Sequence, residues 1–493
     1  MLRFTPPTTR VPHKARWPDV ERPQRRTPFS RRPDLESLSV VIDSELIDGL
    51  DESEPTRELL LAGLLSHDFV QLRRYSDNGP PADAPRRSNL RSTEAAEGWL
   101  VVTGCESEPP PQWGVLSVDG DSILQTAVVG DIPPTAARDN LNDCYAELGA
   151  EEAAEQRQRD VIAVEGAAAI DADMFITQRP YLYATRLPVA DGVMIATIPQ
   201  ALPVVSLYLR AQDQFIGWRS ADGHFTAPLT RGTFYSRAAV ELVPRGWTVL
   251  RALAQHAQGG GDRRMLDLAQ AVFGRLRQTL VARDGMYWAL NRPQDIDAAN
   301  EALSAFDLAL LALMGAVDAS ARIVQRLLSI SSSDPSWLNR RWRKRVGEAS
   351  TAFDLVFRDS AHLHALRILA ELRNTIHAAP IDPLALSIGP GRVTTVIELP
   401  ADGATTLLSA MNNLGGPAAW GVATHIPGRH PADPASLLDA LLPRIAAMLD
   451  ALMTAMPIAE LSSVNPANQT VRPVRLYPEM DVPSESLLWQ LAL

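Results

Sequence analysis

A chain of 493 residues exceeds what one hydrophobic core usually serves, so two or three domains are expected. With 46% hydrophobic and 21% charged residues it has the composition of a globular protein, which excludes a wholly disordered or multi-spanning membrane chain. The net charge of −11 is unevenly spread: residues 1–33 hold nine Arg or Lys against Asp19 and Glu21, a balance of +7, so the remainder carries −18.

The opening segment alternates Pro with Arg, has no apolar signal-peptide core and offers too little apolar surface to fold. A disordered basic arm over residues 1–36 of a cytoplasmic protein is expected. Three readings are open to it: a solvated tail, an arm that holds phosphates, or a segment docked on the acidic body. Cys105 and Cys144 have no metal-ligand spacing, and a sparse pair in a large chain makes no disulfide framework.

The first folded stretch, expected over residues 37–200, opens with "LSVVIDSELIDGL", a short β-rich run from Leu38 to Ile42 that ends at Asp43. Helical spacing follows through "ESEPTRELLLAGLL", then a polar, Pro-rich loop from Asp77 to Asn89. "GWLVVTG", "WGVLSV" and "ILQTAVV" resemble added strands of a meander. The next stretch reads as helix, helix, strand, with Asp160 at the start of the second helix and "DMFIT" as a buried strand ending at Thr177. "GVMIAT" is a further strand, and a helix with Pro199 near its start opens a connecting segment over residues 201–234. Strands alternating with helices imply an α/β layer structure whose ligands collect at the strand carboxyl ends.

This arrangement resembles a PIN-like nuclease domain, with a Rossmann-like layered sheet. In that family the first strand ends in Asp followed by Ser or Thr, here Asp43 and Ser44. A later Asp starts an Ala-rich helix, here Asp160, which leads into an apolar strand ending in Thr, here Thr177. The resemblance implies that Asp43 and Asp160 are catalytic and hold Mg²⁺ or Mn²⁺, since hard cations prefer oxygen ligands that bring water and phosphate into line. Two positions depart from the pattern. Arg179 stands where an acid is often found, and Glu147, Glu151, Glu152 and Glu155 offer no single choice for a middle acid. Taken singly, Asp43 also suits a turn, Asp160 a helix N-cap and Asp173 a loop cap.

From about Tyr235 to Ala379 the apolar period is almost wholly 3.6, and an all-α domain over residues 235–462 is expected. Its most apolar run, Leu308 to Val317, is bracketed by Asp307 and Asp318 and reads as a buried helix rather than a membrane span. "RVTTVIELP" and "WGVATHI" form a small strand-like pair before a last long helix, and residues 463–493 are a tail. In "WLNRRWRKR", Trp337 and Trp342 are expected to pack in the core, with the arginines left to solvent or phosphate.

In "AHLHALRILAELRNTIHAA" a stripe of Leu366, Leu369, Leu372 and Ile376 leaves Arg373 and His377 four apart on a neighbouring face. A guanidinium that clamps phosphate and a His that titrates near neutrality are the parts of metal-independent RNA cleavage. The same residues suit a helix C-terminus. The stretch resembles the Arg-Asn…His signature of HEPN domains, although three residues separate Arg373 from His377 where the family's ribonucleases usually have four to six. That resemblance implies Arg373, Asn374 and His377 as a cofactor-free ribonuclease site in a homodimer of the helical domain. The two resemblances together imply an endoribonuclease acting on RNA in a toxin, stress or phage-defence setting. The alternative is a non-catalytic RNA- or protein-binding scaffold with both sites degenerate. No phosphate-binding Gly-rich loop, zinc spacing or nucleophile elbow appears in the sequence.

Overall fold

The computed structural model describes residues 37–47, 56–79, 98–105, 112–119, 122–129, 148–179, 193–219, 225–291, 296–378, 383–389, 392–399, 403–423, 429–461 and 486–493. The chain divides into two compact units, the first running to Pro228 and reclaiming Trp489–Ala492, the second spanning Leu229–Leu488. The basic arm lies outside the described residues.

The first unit follows the order β1 (Leu38–Asp43), α1 (Arg57–Leu65), β2 (Val70–Tyr75), β3 (Gly98–Cys105), β4 (Gln112–Asp119), β5 (Ser122–Val129), α2 (Ala150–Ala169), β6 (Met174–Ile176), β7 (Met194–Ala196) and α3 (Ile198–Ala211). Its seven-stranded sheet has the order β5-β4-β3-β2-β1-β6-β7, and β8 (Phe215–Arg219) pairs with β9 (Phe225–Leu229) as a separate two-stranded sheet. β3, β2, β1, β6 and β7 run parallel, and β4 and β5 add an antiparallel meander on the β3 side, as the sequence suggested. Taken in chain order, the parallel strands stand third, second, first, fourth, fifth. Strand order therefore reverses between β1 and β6, the place where such sheets open a crevice at their carboxyl ends.

β1 is an interior strand, so its residues meet covered surface on both sides: Leu38, Val40, Val41 and Ile42 are all buried. Ala163, Val164, Ala167 and Ala168 of α2 pack with Val41, Tyr75, Leu100 and Phe175 of the sheet. The small residues let the helix lie close. α1 is capped by Thr56, whose Oγ1 accepts from Leu59 N–H at 3.3 Å, and it packs against α3. α3 starts with a capping box between Thr197 and Gln200 and keeps Pro203 within it. Asp173 ties the turn before β6 to β1: Ser39 N–H donates to its Oδ2 at 2.9 Å, and its own N–H donates to Ser39 O at 2.7 Å.

The C-terminal segment, read from sequence as a tail, contains α13 (Ser486–Leu491). Gln490 accepts from Ser206 Oγ at 2.7 Å and donates to Ile216 O at 3.0 Å, while Arg210 donates to the Gln490 carbonyl at 3.2 Å.

The second unit is helical: α4 (Arg231–Leu242), α5 (Pro244–Gln258), α6 (Arg263–Asn291), α7 (Ile296–Leu327), α8 (Arg340–Ala349), α9 (Thr351–Arg358), α10 (Ser360–Ala378), α11 (Ala404–Asn412) and α12 (Pro434–Thr454). α7 extends well past the apolar run that marked it in the sequence. At 32 residues it is long and apolar enough to cross a membrane, as is Pro434–Glu460, yet Phe306, Leu310, Leu313, Ala316, Val317 and Ile323 are buried within the unit. β10 (Pro383–Gly389), β11 (Arg392–Glu398) and β12 (Pro431–Ala432) form an antiparallel edge sheet. The expected partner of β11, "WGVATHI", is displaced. Pro417–Trp420 is a 3₁₀ turn that buries Trp420, Val422 makes one isolated bridge to Ala432, and β11 pairs instead with β10.

Candidate functional site

The switch point of the sheet is occupied by charge. Asp43 ends β1 with 1% of its surface exposed, and Thr177, just past β6 on the neighbouring strand, donates its hydroxyl to Asp43 Oδ2. Tyr75 ends β2, and two residues on, Asp77 accepts from the Tyr75 hydroxyl at 3.1 Å. The third carboxylate, Asp160, is fully buried. It does not begin a helix as the sequence suggested. No Pro interrupts Ala150–Ala169, and its single glycine, Gly166, lies beyond Asp160 among alanines, so α2 is continuous and Asp160 sits at its middle, where Gln156 one turn earlier donates to its Oδ1 at 3.0 Å.

Arg179 joins all three acids. Its Nε donates to Asp43 Oδ1 and Oδ2 at 3.2 and 3.1 Å, and its Nη2 to Asp43 Oδ1 at 3.0 Å. Nη1 reaches Asp160 Oδ1 at 2.8 Å and both oxygens of Asp77 at 3.1 Å. The guanidinium lies 5.3 Å from the centre of the Tyr75 ring, and that ring meets Phe175 edge-on. Its backbone is fixed as well, since Arg179 N–H donates to Thr177 Oγ1 at 3.1 Å. One hydroxyl thus orients both the acid and the arginine that neutralises it.

Three carboxylates facing one guanidinium leave an excess of negative charge. Burial pushes the Asp43 carboxyl above its usual range, against the pull of Arg179 and Thr177, and Glu45 adds to the rise. Burial alone would lower the Arg179 pKa, but Asp43, Asp160 and Asp77 outweigh it and hold the guanidinium more firmly protonated than usual. Burial, then Asp77, raises the Tyr75 phenol. Beside the cluster is a cleft of about 470 Å³ lined by polar groups, among them Ser44, Glu45, Asn78 and Gln178.

Asp43 and Asp160 are therefore brought together, but around a cation supplied by the chain itself. A divalent metal needs carboxylate lone pairs, and the guanidinium already engages both oxygens of Asp43 and Oδ1 of Asp160. The residues present do not fit Mg²⁺ or Mn²⁺ while Arg179 stays in place. Of the other acids named from sequence, Glu152 is exposed, Glu147 lies outside the described residues, and so do the side chains of Glu151 and Glu155. Asp77, Tyr75 and Gln156 escaped the sequence reading. The one signal for Asp77 was a polar "SDNG" turn directly after a strand, and that strand itself had gone unrecognised.

The second set of candidates lies on α10. Arg373 is half-buried and Asn374 exposed, with Arg373 Nη1 donating to Asn374 Oδ1 at 3.3 Å. Asp318 on α7 is close enough to feel the charge of Arg373, together with Arg322 and Arg275, although burial is the larger influence and raises its pKa. His377 belongs to α10, but its side chain lies outside the described residues. Of the two upstream histidines, His362 Nδ1–H donates to Val356 O at 2.9 Å, and His364 is partly buried.

No family model, curated protein or solved structure matches this chain.

Proposed function

We propose that the first unit is a PIN-like module in which Arg179 has taken the place of the metal. On this reading the chain acts as a non-catalytic scaffold for RNA or a partner protein, rather than as a metal-dependent endoribonuclease. The observation that carries it is the triple ion pair of Arg179 with Asp43, Asp77 and Asp160.

The chemistry follows from what a guanidinium can do. It supplies the positive charge that three clustered carboxylates need, in a planar fork suited to their oxygens. It has no water to ionise, so it generates no hydroxide nucleophile, and it does not deprotonate in a protein. The cluster is thereby turned from a candidate reaction centre into a rigid clasp joining β1, β2, α2 and the segment after β6. A clasp at the strand carboxyl ends holds the rim of the cleft in one shape, which is what a binding face requires.

A second reading keeps an endoribonuclease on the HEPN-like helix, and with it a homodimer of the second unit. It is favoured by the adjacent, hydrogen-bonded Arg373 and Asn374 at the surface of α10. Cleavage of a mixed RNA pool separates the readings. The scaffold leaves the RNA intact with Mg²⁺, with Mn²⁺ and with EDTA. Cutting that persists in EDTA and vanishes in His377→Ala establishes the second reading. Metal-dependent cutting lost in Asp43→Asn overturns the first.

A further inference from the structure

We propose that α8 and the neighbouring Arg367 of α10 form a docking surface for the phosphate backbone of a nucleic acid, RNA on the reading above. The inference rests on the binding role of the chain, but not on the loss of the metal site.

The surface is built on an aromatic anchor. Trp337 is 1% and Trp342 2% exposed. Trp337 stacks on Phe353 with ring centres 6.0 Å apart, lies 5.2 Å from Phe357, and donates its indole N–H to Ser320 Oγ of α7 at 2.9 Å. Neither tryptophan is available to stack on a base. Both serve instead to fix the helix that carries the cations.

α8 reads "RRWRKRVGEA", and five of its first six residues are cationic. At 100° per residue Arg340, Arg341, Lys344 and Arg345 fall within about 140° of arc. All four are exposed, and Trp342 and Val346 point the other way into the core. Arg367, also exposed, extends the patch from α10: burial lowers the Arg343 pKa, and the charges of Arg367 and Arg340 lower it further. Among the described residues the only acid paired with the quartet is Glu348, 3.7 Å from Lys344, with both side chains mostly in solvent.

Local stability does not account for this arrangement. The first turn of a helix favours acidic residues, and α8 places Arg340, Arg341 and Arg343 there with no acid among them. Like charges pile up at the positive end of the dipole, in a chain that is acidic as a whole. A row of phosphates relieves both repulsions at once. Arginine predominates over lysine, which suits bidentate contact with phosphate oxygens. A bilayer is the poorer match, because Trp342 and Val346, the apolar face that a surface-lying helix would insert, are already buried in the unit.

The test uses the full chain and a fluorescein-labelled mixed-sequence single-stranded RNA, read by polarisation across a salt series. Five cations on a single strand give a log–log salt slope of about −3.5, from roughly 0.7 per neutralised phosphate. The variant Arg340→Gln/Arg341→Gln/Lys344→Gln/Arg345→Gln leaves the anchor intact, and an unchanged circular dichroism melt certifies its fold. The expected result is at least tenfold weaker binding with the slope reduced to about −0.7. Equal binding by the variant, no binding by wild type at low salt, or capture by anionic vesicles in preference to RNA would each overturn the proposal. Mn²⁺ binding at Asp43 is read separately, so the two readings fail independently.

Discussion

Arg179 grips Asp43 through both carboxylate oxygens, Nε reaching Oδ1 and Oδ2 at 3.2 and 3.1 Å and Nη2 reaching Oδ1 at 3.0 Å. The acid is 1% exposed, so its charge has no access to bulk water. Removing one partner of a buried pair costs far more than the pair contributes net. Arg179→Met is therefore expected to lose about 3–5 kcal/mol in urea unfolding at neutral pH. In the variant the buried Asp43 carboxyl, which burial already raises, loses the guanidinium that opposed the rise and binds its proton more tightly folded than unfolded. The variant's stability should rise as pH falls toward the carboxylate range. A loss of under 1 kcal/mol would mean that the guanidinium is not the clasp described.

Thr177 supports the same contact from the other side, donating to Asp43 and accepting from Arg179 N–H. Thr177→Val keeps the shape and deletes the hydroxyl. A hydrogen bond to a charged group contributes about 1.5–3 kcal/mol, and a loss in that range is expected. Thr177→Ser should restore most of it.

The outline of this site was legible in the sequence, and its centre was not. An apolar run ending at Asp43 and a short apolar run ending at Thr177 carry strong local signals, because interior parallel strands are apolar throughout. β2 was missed because "VQLRRY" places two arginines together, and neither reads as strand. Arg73 is nonetheless 8% exposed and satisfied by the Leu72 carbonyl at 3.0 Å. With β2 unseen, Asp77 looked like the start of a loop. Asp160 was noticed for its type, but its place within α2 depends on an uninterrupted helix whose first turn is rich in glutamate and easily read as the end of another. Arg179 was marked as a departure from a pattern. That its side chain turns back onto three acids is a tertiary fact with no local signature.

The helical unit has a clasp of its own. Arg283 is 2% exposed and donates to Asp439 Oδ1 through Nε and Nη2 at 3.0 and 2.9 Å, while Tyr287 donates to Oδ2. α6 and α12 are joined through this one carboxylate. Asp439→Ala should destabilise by about 3–5 kcal/mol, whereas Arg283→Met/Asp439→Leu should recover most of the loss. Denaturant melts of both variants measure the difference.

Asp307 on α7 lacks a hydrogen-bond partner at Oδ1 among the described residues, and burial pushes its carboxyl up to about 6. The folded state then binds a proton that the unfolded state has released. This group's contribution to stability is present below about pH 4 and is lost as pH rises through about 6. Asp307→Asn should flatten the stability profile in that window and raise the melting temperature at neutral pH. An unchanged profile would show that Asp307 is better hydrated than its burial indicates.

On the proposed reading, the Arg179 side chain fills the position of a metal. Mn²⁺ titration followed by electron paramagnetic resonance tests it directly, comparing wild type with Arg179→Asp. No stoichiometric Mn²⁺ binding is expected of wild type, and a new site is expected in the variant, where a fourth carboxylate replaces the guanidinium. Stoichiometric binding by wild type that disappears in Asp43→Asn would contradict that reading.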